Sequence, residues 1–470
     1  MTNQDTESLG FFGLIKKVWP CFASYLPFAF TLSVFYINIK VVSIIIWPLD
    51  SFEVHAGEIG VLFGISTYIL AISGIIFGNL ADRHSRIKLF SLSTFFFGLS
   101  FVLNGFVPEG LNYTTFSLFL IFIIIRGFFS GAFWPLINSY LSDKSKEDEK
   151  SKFFGVLNST FQLVQLIGMI TAAFFFESGL WRSYFWIFGL IISIIGILIL
   201  KAEEPKRAST TEELHEILAR SDILYVYKLN MNTIKDTILK PTNLVAFAEG
   251  IFTTILLSVP DFLLVAYIQT PPINFSPIVS SLFMVIFGLP GSVIGSLVFA
   301  NISDKLAKKS IKNRVYLIVI SLVGIFSIFM IVFLLPLPAL TSLEGQDFFL
   351  ILSYPIFWVL GLVAFLARSI LGLYSINQPP VLQKINLPES QGFISSANQF
   401  LEGIGYGTGP ILAGILLFLF DGNYQITVTL TMSLGILGAF LWVIATKWIE
   451  EDISRISKIL MDRREELNGE

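Results

Sequence analysis

Long apolar runs recur along almost the whole chain, and they constrain its fold more than any other feature. A membrane-spanning helix needs about 20 mainly apolar residues to cross about 30 Å of hydrocarbon. We predict twelve such spans, near residues 22–46, 57–80, 88–107, 115–141, 153–176, 183–200, 241–268, 276–301, 314–336, 348–378, 392–419 and 425–447. Only 14% of the residues are charged, against about 25% in a typical soluble domain. The sequence therefore predicts an all-α membrane protein.

The charges of the connecting segments test this map, since cytoplasmic loops of membrane proteins are rich in Lys and Arg. Basic residues cluster in the connections after spans 2, 4 and 8: Arg83, Arg86, Lys88, Lys144, Lys146, Lys150, Lys152, Lys305, Lys308, Lys309, Lys312 and Arg314. The opposite connections are mainly acidic, with Asp50, Glu53, Glu58, Glu109, Glu344, Asp347 and Asp421. This asymmetry predicts an integral multi-pass protein whose N- and C-termini are both cytoplasmic.

A polar stretch divides the predicted spans into two groups of six. We predict an N-terminal six-helix bundle over residues 1–200, a cytoplasmic linker over 201–240, a C-terminal six-helix bundle over 241–449 and a cytoplasmic, solvated tail over 450–470. Gly155, Gln162, Gln165 and Gly168 in span 5 share their spacing with Gly392, Gln399, Glu402 and Gly405 in span 11. Such internal repetition is typical of transporter folds, so the two bundles should be pseudo-symmetric.

The segment that ends span 2 carries a recognisable motif. Residues 78–86 read GNLADRHSR, and this segment resembles the signature loop of the major facilitator superfamily, with Ser85 in place of a glycine. In the second half, Asn301, Asp304 and Lys305 repeat the spacing of Asn79, Asp82 and Arg83. The resemblance implies the twelve-helix fold of that superfamily and a gating role for Gly78, Asp82, Arg83, Arg86 and Asp304. It also implies that Asp82 locks the outward-open state.

Two further features resemble the same superfamily. Arg126 looks like its buried arginine of span 4. Gly405, Gly409 and Pro410 read like the glycine–proline motif of antiporters in the family, but they lie in span 11 instead of span 5. The displacement argues against drug antiport. The glycines of span 11 either permit tight packing or make the helix bendable.

Five charged residues lie far enough inside predicted spans that we expect them to be buried: Lys40, Arg126, Glu249, Arg368 and Glu402. A charge at mid-membrane costs about 2.5–3.5 kcal/mol, so it usually faces a cavity or a partner. One hypothesis is anion or zwitterion binding together with a carboxylate that carries protons, Glu402 first and Glu249 second. The other is a set of salt bridges within the bundles, such as Glu402 with Arg368. Asp261 falls near the outer end of span 7, where loop solvation is expected.

Four amide side chains on spans 5 and 11 are further candidates for substrate contact: Gln162, Gln165, Asn398 and Gln399. Amides within spans also hold helices together by hydrogen bonds, and the sequence leaves both roles open.

The sequence indicates transport instead of catalysis. It contains no Walker-type phosphate loop, metal-ligand cluster or nucleophile–base pair, so we expect no enzyme activity, cofactor, metal or nucleic-acid partner. The leading hypothesis is a secondary active transporter of a small organic solute that works by alternating access, with protons as the candidate coupling ion. Its expected partners are that solute and the lipid bilayer. The alternatives are a uniporter, a carrier of a lipid-like substrate and a non-transporting membrane sensor of the same fold.

Overall fold

The computed structural model describes residues 11–49, 54–144, 147–204 and 239–468. All regular elements of these residues are helical. The N-terminal helices are α1 (Phe11–Lys17), α2 (Trp19–Thr31), α3 (Val34–Ile37), α4 (Ile39–Ile46), α5 (Ala56–Arg83), α6 (Arg86–Asn104), α7 (Tyr113–Ser130), α8 (Phe133–Lys144), α9 (Glu147–Glu177) and α10 (Trp181–Ile199). The C-terminal helices are α11 (Pro241–Gln269), α12 (Pro277–Phe283), α13 (Leu289–Ala307), α14 (Lys312–Leu334), α15 (Phe348–Ser353), α16 (Pro355–Lys384), α17 (Pro388–Leu419), α18 (Tyr424–Ala439) and α19 (Leu441–Asn468).

Within these described ranges, eleven helical stretches are long and apolar enough to cross a membrane. They correspond to every predicted span except the eighth, where α12, a π-helix over Met284–Gly288 and α13 follow one another without a gap. Pro290 comes just after the π-helix, and its missing N–H interrupts regular helical bonding there. The predicted class, an all-α membrane protein, is confirmed.

Several predicted spans are divided or extended in ways that the apolar runs do not reveal. The first span consists of α2, α3 and α4, and Asn38 between α3 and α4 donates its side-chain amide to the carbonyl of Val34 at 2.8 Å. The last helix continues beyond the predicted span through residue 468. Ile449 and Ile456 on this continuation are buried, so the predicted tail begins as a packed helix and not as a solvated extension.

The described residues form two compact units. The first comprises the described residues of 1–51 and 68–222, which hold α1–α4, α5 from Tyr68 onward, and α6–α10. Its core contains a cluster of buried aromatic side chains that includes Phe22, Phe90, Tyr140 and Phe153. The rings of Phe22 and Phe153 meet edge to face with centroids 5.5 Å apart.

The second unit comprises the described residues of 52–67 and 223–470, which are the first turns of α5 together with α11–α19. Residues 54–67 thus join the second unit by their contacts although they precede the predicted linker. Of that linker, only residues 201–204 and 239–240 lie among the described residues.

Helix α17 packs closely on both sides inside the second unit. A Cβ added at Gly409 would lie 2.7 Å from the carbonyl oxygen of Ile255 on α11. A Cβ added at Gly60 on α5 would lie 2.3 Å from the carbonyl oxygen of Pro410. Because the obstacles are backbone atoms, only glycine fits such crossings. Gly409 of α17 therefore serves packing, and a bendable helix remains a prediction.

Candidate functional site

Arg126 is a buried cation within a membrane-spanning helix of the first unit. It lies on α7 and is 8% exposed, and its guanidinium carbon is 5.6 Å from the centroid of the Phe35 ring. Its Nη1 atom is buried and has no hydrogen-bond partner among the described residues, and the same holds for the hydroxyl of Tyr184 on α10. A buried guanidinium with spare donor capacity suits an anionic acceptor.

The surroundings of the other candidates of the first unit do not indicate a substrate site. Gln165 on α9 donates to Ser33 Oγ at 3.3 Å, which fits the role of joining two helices. Gln162 on the same helix is exposed, and Lys40 on α4 is partly buried with an interaction partner of its own.

Glu249 is fully enclosed in the second unit. Its carboxylate accepts hydrogen bonds from the hydroxyl of Thr253, one turn along α11, and from Nε1 of Trp442 on α19 at 2.5 Å. Its exposed fraction is 0%. Both of these donors are uncharged.

Glu402 lies on α17 and is partly exposed. Its Oε1 accepts hydrogen bonds from Nε2 of Gln378 on α16 and from Nδ2 of Asn398, both at 2.8 Å. A Cβ added at Gly250 would lie 3.3 Å from this oxygen, so the glycine beside Glu249 leaves room for the carboxylate of Glu402. Gln399, the next residue along α17, is exposed.

Arg368 does not pair with Glu402, so that hypothesis is wrong. Its Nη2 lies 2.6 Å from Oδ1 of Asp261 and its Nη1 lies 3.5 Å from Oδ2. The hydroxyl of Tyr406 donates to the same Oδ2 at 3.2 Å. Asp261, for which we expected loop solvation, lies within α11 and forms this ion pair while 19% of its side chain stays exposed.

The signature segment after α5 is held by a carboxylate that comes after α10. Glu204 accepts hydrogen bonds from the Ser85 hydroxyl at 2.6 Å, from the backbone N–H groups of Arg86 and Ile87 at 3.0 Å each, and from Arg86 Nε at 3.0 Å. The Nη1 of Arg86 also donates to the carbonyl of Ser139 at 2.9 Å. The arginine is almost fully buried, at 1% exposure. This predicted gating residue thus anchors the start of α6.

The remaining gating candidates are less informative. Arg83 is exposed, and Gly78 is partly buried beside Pro135. The side chains of Asp82 and Asp304 lie outside what the structure describes, so the lock attributed to Asp82 remains a prediction.

Sequence reasoning identified most of the charged residues but not the residues that they bind. Trp442 and Glu249 are 193 residues apart in the chain, and no local pattern connects them. Glu204 has a weak signal, since it stands in the short acidic segment directly after span 6. Tyr406 lies four residues from Glu402, hence on the same face of α17.

Comparison with known families decides what kind of protein carries these groups. The sequence profile of the Major Facilitator Superfamily matches residues 28–410, most of the chain. The chain belongs to the Major Facilitator Superfamily. It is a multi-pass membrane transporter, as the signature segment predicted.

Individual relatives and structures agree with this assignment. A protein named probable sugar efflux transporter from Helicobacter pylori (strain G27) is 21% identical over 93% of this chain and 97% of its own length. A protein named shikimate transporter from Escherichia coli (strain K12) is 25% identical over 77% of this chain and 78% of its own. These names support the prediction that the chain is not an enzyme.

The fold also resembles a solved structure of the family. The crystal structure of a bacterial homologue of the human lysosomal transporter Spinster, inward-facing and occupied, superposes with a TM-score of 0.64. The superposition covers 93% of this chain and 98% of that one at 16% sequence identity. At this identity, the likeness shows the fold alone.

Proposed function

We propose that this transporter is a proton-coupled secondary carrier of a small organic anion and that it works by alternating access. The observation that carries the proposal is the environment of Glu402, a carboxylate inside a membrane-spanning helix that two amides hold and that stays partly exposed. Charged residues in such helices commonly mark substrate or proton pathways.

The amides around Glu402 suit both of its protonation states. The ionised carboxylate accepts the N–H groups of Gln378 and Asn398, as observed. The protonated carboxyl needs an acceptor for its O–H. Oδ1 of Asn398 is buried and has no partner among the described residues, so a turn of this amide supplies that acceptor. Glu402 can therefore gain or lose a proton without leaving a cation unpaired.

The charge assigned to the substrate follows from Arg126. Its Nη1 lacks a hydrogen-bond partner in the described part of the chain, and a guanidinium binds carboxylate or phosphate oxygens through paired N–H groups. The relative named a shikimate transporter supports a carboxylate, since shikimate is a hydroxylated carboxylic acid. The relatives named sugar efflux transporters favour a hydroxylated solute in general.

Purified protein in liposomes tests the proposal, with shikimate and a panel of other small carboxylates as probes. Wild-type protein should show carboxylate-dependent proton movement and accumulation driven by a pH gradient. Glu402→Gln should abolish the accumulation and keep solute exchange, because glutamine holds the amide contacts but carries no proton. Glu451→Gln, which removes an exposed carboxylate of α19, is the matched control and should behave as wild type.

Two outcomes would contradict the proposal in different ways. Solute flux without proton movement in the wild type would indicate a uniporter. Absence of both flux and proton movement across the whole panel would favour a sensor that keeps the fold without transport.

A further inference from the structure

Three polar side chains from three different helices meet inside the second unit. Asp261 on α11, Arg368 on α16 and Tyr406 on α17 form a single hydrogen-bonded cluster, which we call the Asp261–Arg368–Tyr406 cluster. The predicted site residues included Arg368 but neither of its two partners, and the coupling proposed for Glu402 does not use the cluster.

The cluster is bonded internally but is not enclosed. The side chains of Arg368 and Asp261 remain 31% and 19% exposed, and Tyr406 is 49% exposed. An open ion pair of this kind does not face lipid, because charged groups within spans turn toward the bundle interior or water. Its exposed atoms are therefore available to a ligand dissolved in water.

The charges of the cluster select the chemistry of that ligand. The ion pair is neutral as a whole. An anion attracted by Arg368 would be repelled by Asp261, and a cation attracted by Asp261 would be repelled by Arg368. A hydroxyl group suits both members, since it donates to the carboxylate and accepts from the guanidinium. The half-exposed ring of Tyr406 adds an apolar face against which a ligand ring can pack.

We propose that the Asp261–Arg368–Tyr406 cluster binds the hydroxyl groups of a polyhydroxylated, ring-shaped solute. The inference deepens the proposed function and rests on it, because the ligand is taken to be the transported solute. Glu402 and Tyr406 are four residues apart on α17, which is about 6 Å along the helix axis. The hydroxyl-binding groups therefore adjoin the carboxylate that carries the proton.

Three probes separate hydroxyl recognition from recognition of charge. Shikimate carries ring hydroxyls and a carboxylate, cyclohex-1-ene-1-carboxylate carries the same ring and carboxylate without hydroxyls, and myo-inositol carries hydroxyls without charge. Thermal stabilisation of the purified protein, titrated with each probe, reports affinity because a bound ligand stabilises the folded state by mass action. The affinity of wild-type protein for shikimate should be at least about tenfold higher than for cyclohex-1-ene-1-carboxylate, since a site built for hydroxyls rejects an analogue that lacks them.

The decisive variant is Tyr406→Phe, which removes one hydroxyl and keeps the ring. It should weaken shikimate binding about tenfold and leave cyclohex-1-ene-1-carboxylate within about twofold of wild type. Asp261→Asn should act in the same direction, and Tyr316→Phe, at an exposed tyrosine of α14, should change neither affinity. If Asp261→Asn fails to fold, Tyr406→Phe decides alone.

The possible failures are distinguishable. Equal wild-type affinities for the two acids, or an equal loss of both in Tyr406→Phe, would overturn the hydroxyl site and leave the proposed function intact. Stabilisation by myo-inositol alone would support the hydroxyl site and remove the anion from the proposed function. Absence of stabilisation by either hydroxylated probe would overturn the hydroxyl site, and the liposome assay with other carboxylates would still decide the proposed function.

Discussion

Glu204 accepts hydrogen bonds from both the backbone N–H and the side-chain Nε of Arg86, each at 3.0 Å. The carboxylate thereby satisfies N–H groups at the first turn of α6, which have no partner within that helix. The second unit contains a related pair, since Lys312 Nζ at the start of α14 lies 2.9 Å from Glu450 on α19. In each half, the start of the third predicted span is thus tied to the chain that follows the sixth.

Glu204→Gln should destabilise the protein by about 1–2 kcal/mol. Glutamine keeps the shape but leaves the almost buried Arg86 without a counter-charge. We place the cost at the low end for ion pairs because the carboxylate itself is 36% exposed. The measurement is the thermal transition of purified protein, with the exposed neighbour changed as Glu203→Gln for comparison. Equal transitions in the two variants would contradict a special role for Glu204.

The stabilisation from Glu204 should also depend on pH. Burial by itself raises the pKa of Glu204, but the hydrogen bonds from Ser85, Ile87 and Arg86 outweigh it and hold the pKa below its usual value. A carboxyl whose pKa is lower in the folded state contributes stability above its unfolded pKa, about 4.3. That contribution is lost as the pH falls through the folded pKa.

The difference in stability between wild type and Glu204→Gln should therefore stay constant from about pH 8 to about pH 5.5 and shrink below about pH 4. Thermal scans of both proteins at each pH measure it. A difference that grows on acidification would show that another group dominates this contact.

The sequence predicted the helical membrane fold well because spanning runs and loop charges are local signals. It could not predict that residues 54–67 pack with the second unit, since this depends on backbone contacts between Gly60 and Pro410. Most of the charged residues, Arg126, Glu249, Arg368 and Glu402 among them, were also found from sequence, but Asp261 was not. The pairing of Arg368 with Asp261 was not predicted, because the two residues are 107 apart in the chain and no local pattern connects them.

Gly60→Ala should destabilise the second unit by about 1–3 kcal/mol, the usual range for overpacking a tight contact. The added Cβ would lie 2.3 Å from the Pro410 carbonyl oxygen, and a backbone atom cannot turn aside as a side chain can. Gly74→Ala on the same helix is the control, because its Cβ would lie 3.5 Å from the nearest atom. Thermal transitions that fall equally in both variants would mean that loss of glycine itself, and not the crossing with α17, is responsible.

We propose that both termini and residues 201–240 are cytoplasmic, and labelling from the two sides of the membrane tests this topology. Single cysteines at Ser51 and Ser209 should react with impermeant reagents from opposite sides in a Cys21→Ser background. Wild-type protein, whose one cysteine is Cys21, should not react with these reagents, since Cys21 is buried. Labelling of both positions from one side would require a different number of spans between them.

Glu249 and Glu402, the two carboxylates that the sequence put forward for coupling, should differ in function because they differ in access. Glu249 is 0% exposed, with both oxygens engaged by Thr253 and Trp442, whereas Glu402 is partly exposed beside an amide with a free acceptor. Protons reach a group through water or a chain of hydrogen bonds, so Glu402 is the better carrier and Glu249 the better helix anchor. Glu249→Gln should lower the thermal transition temperature and keep accumulation driven by a pH gradient. Glu402→Gln should keep the thermal transition temperature and abolish the accumulation. Trp442→Phe, which removes one donor to Glu249, should lower the thermal transition temperature by less than Glu249→Gln does. Loss of accumulation in Glu249→Gln together with wild-type accumulation in Glu402→Gln would move the proton-carrying role to Glu249.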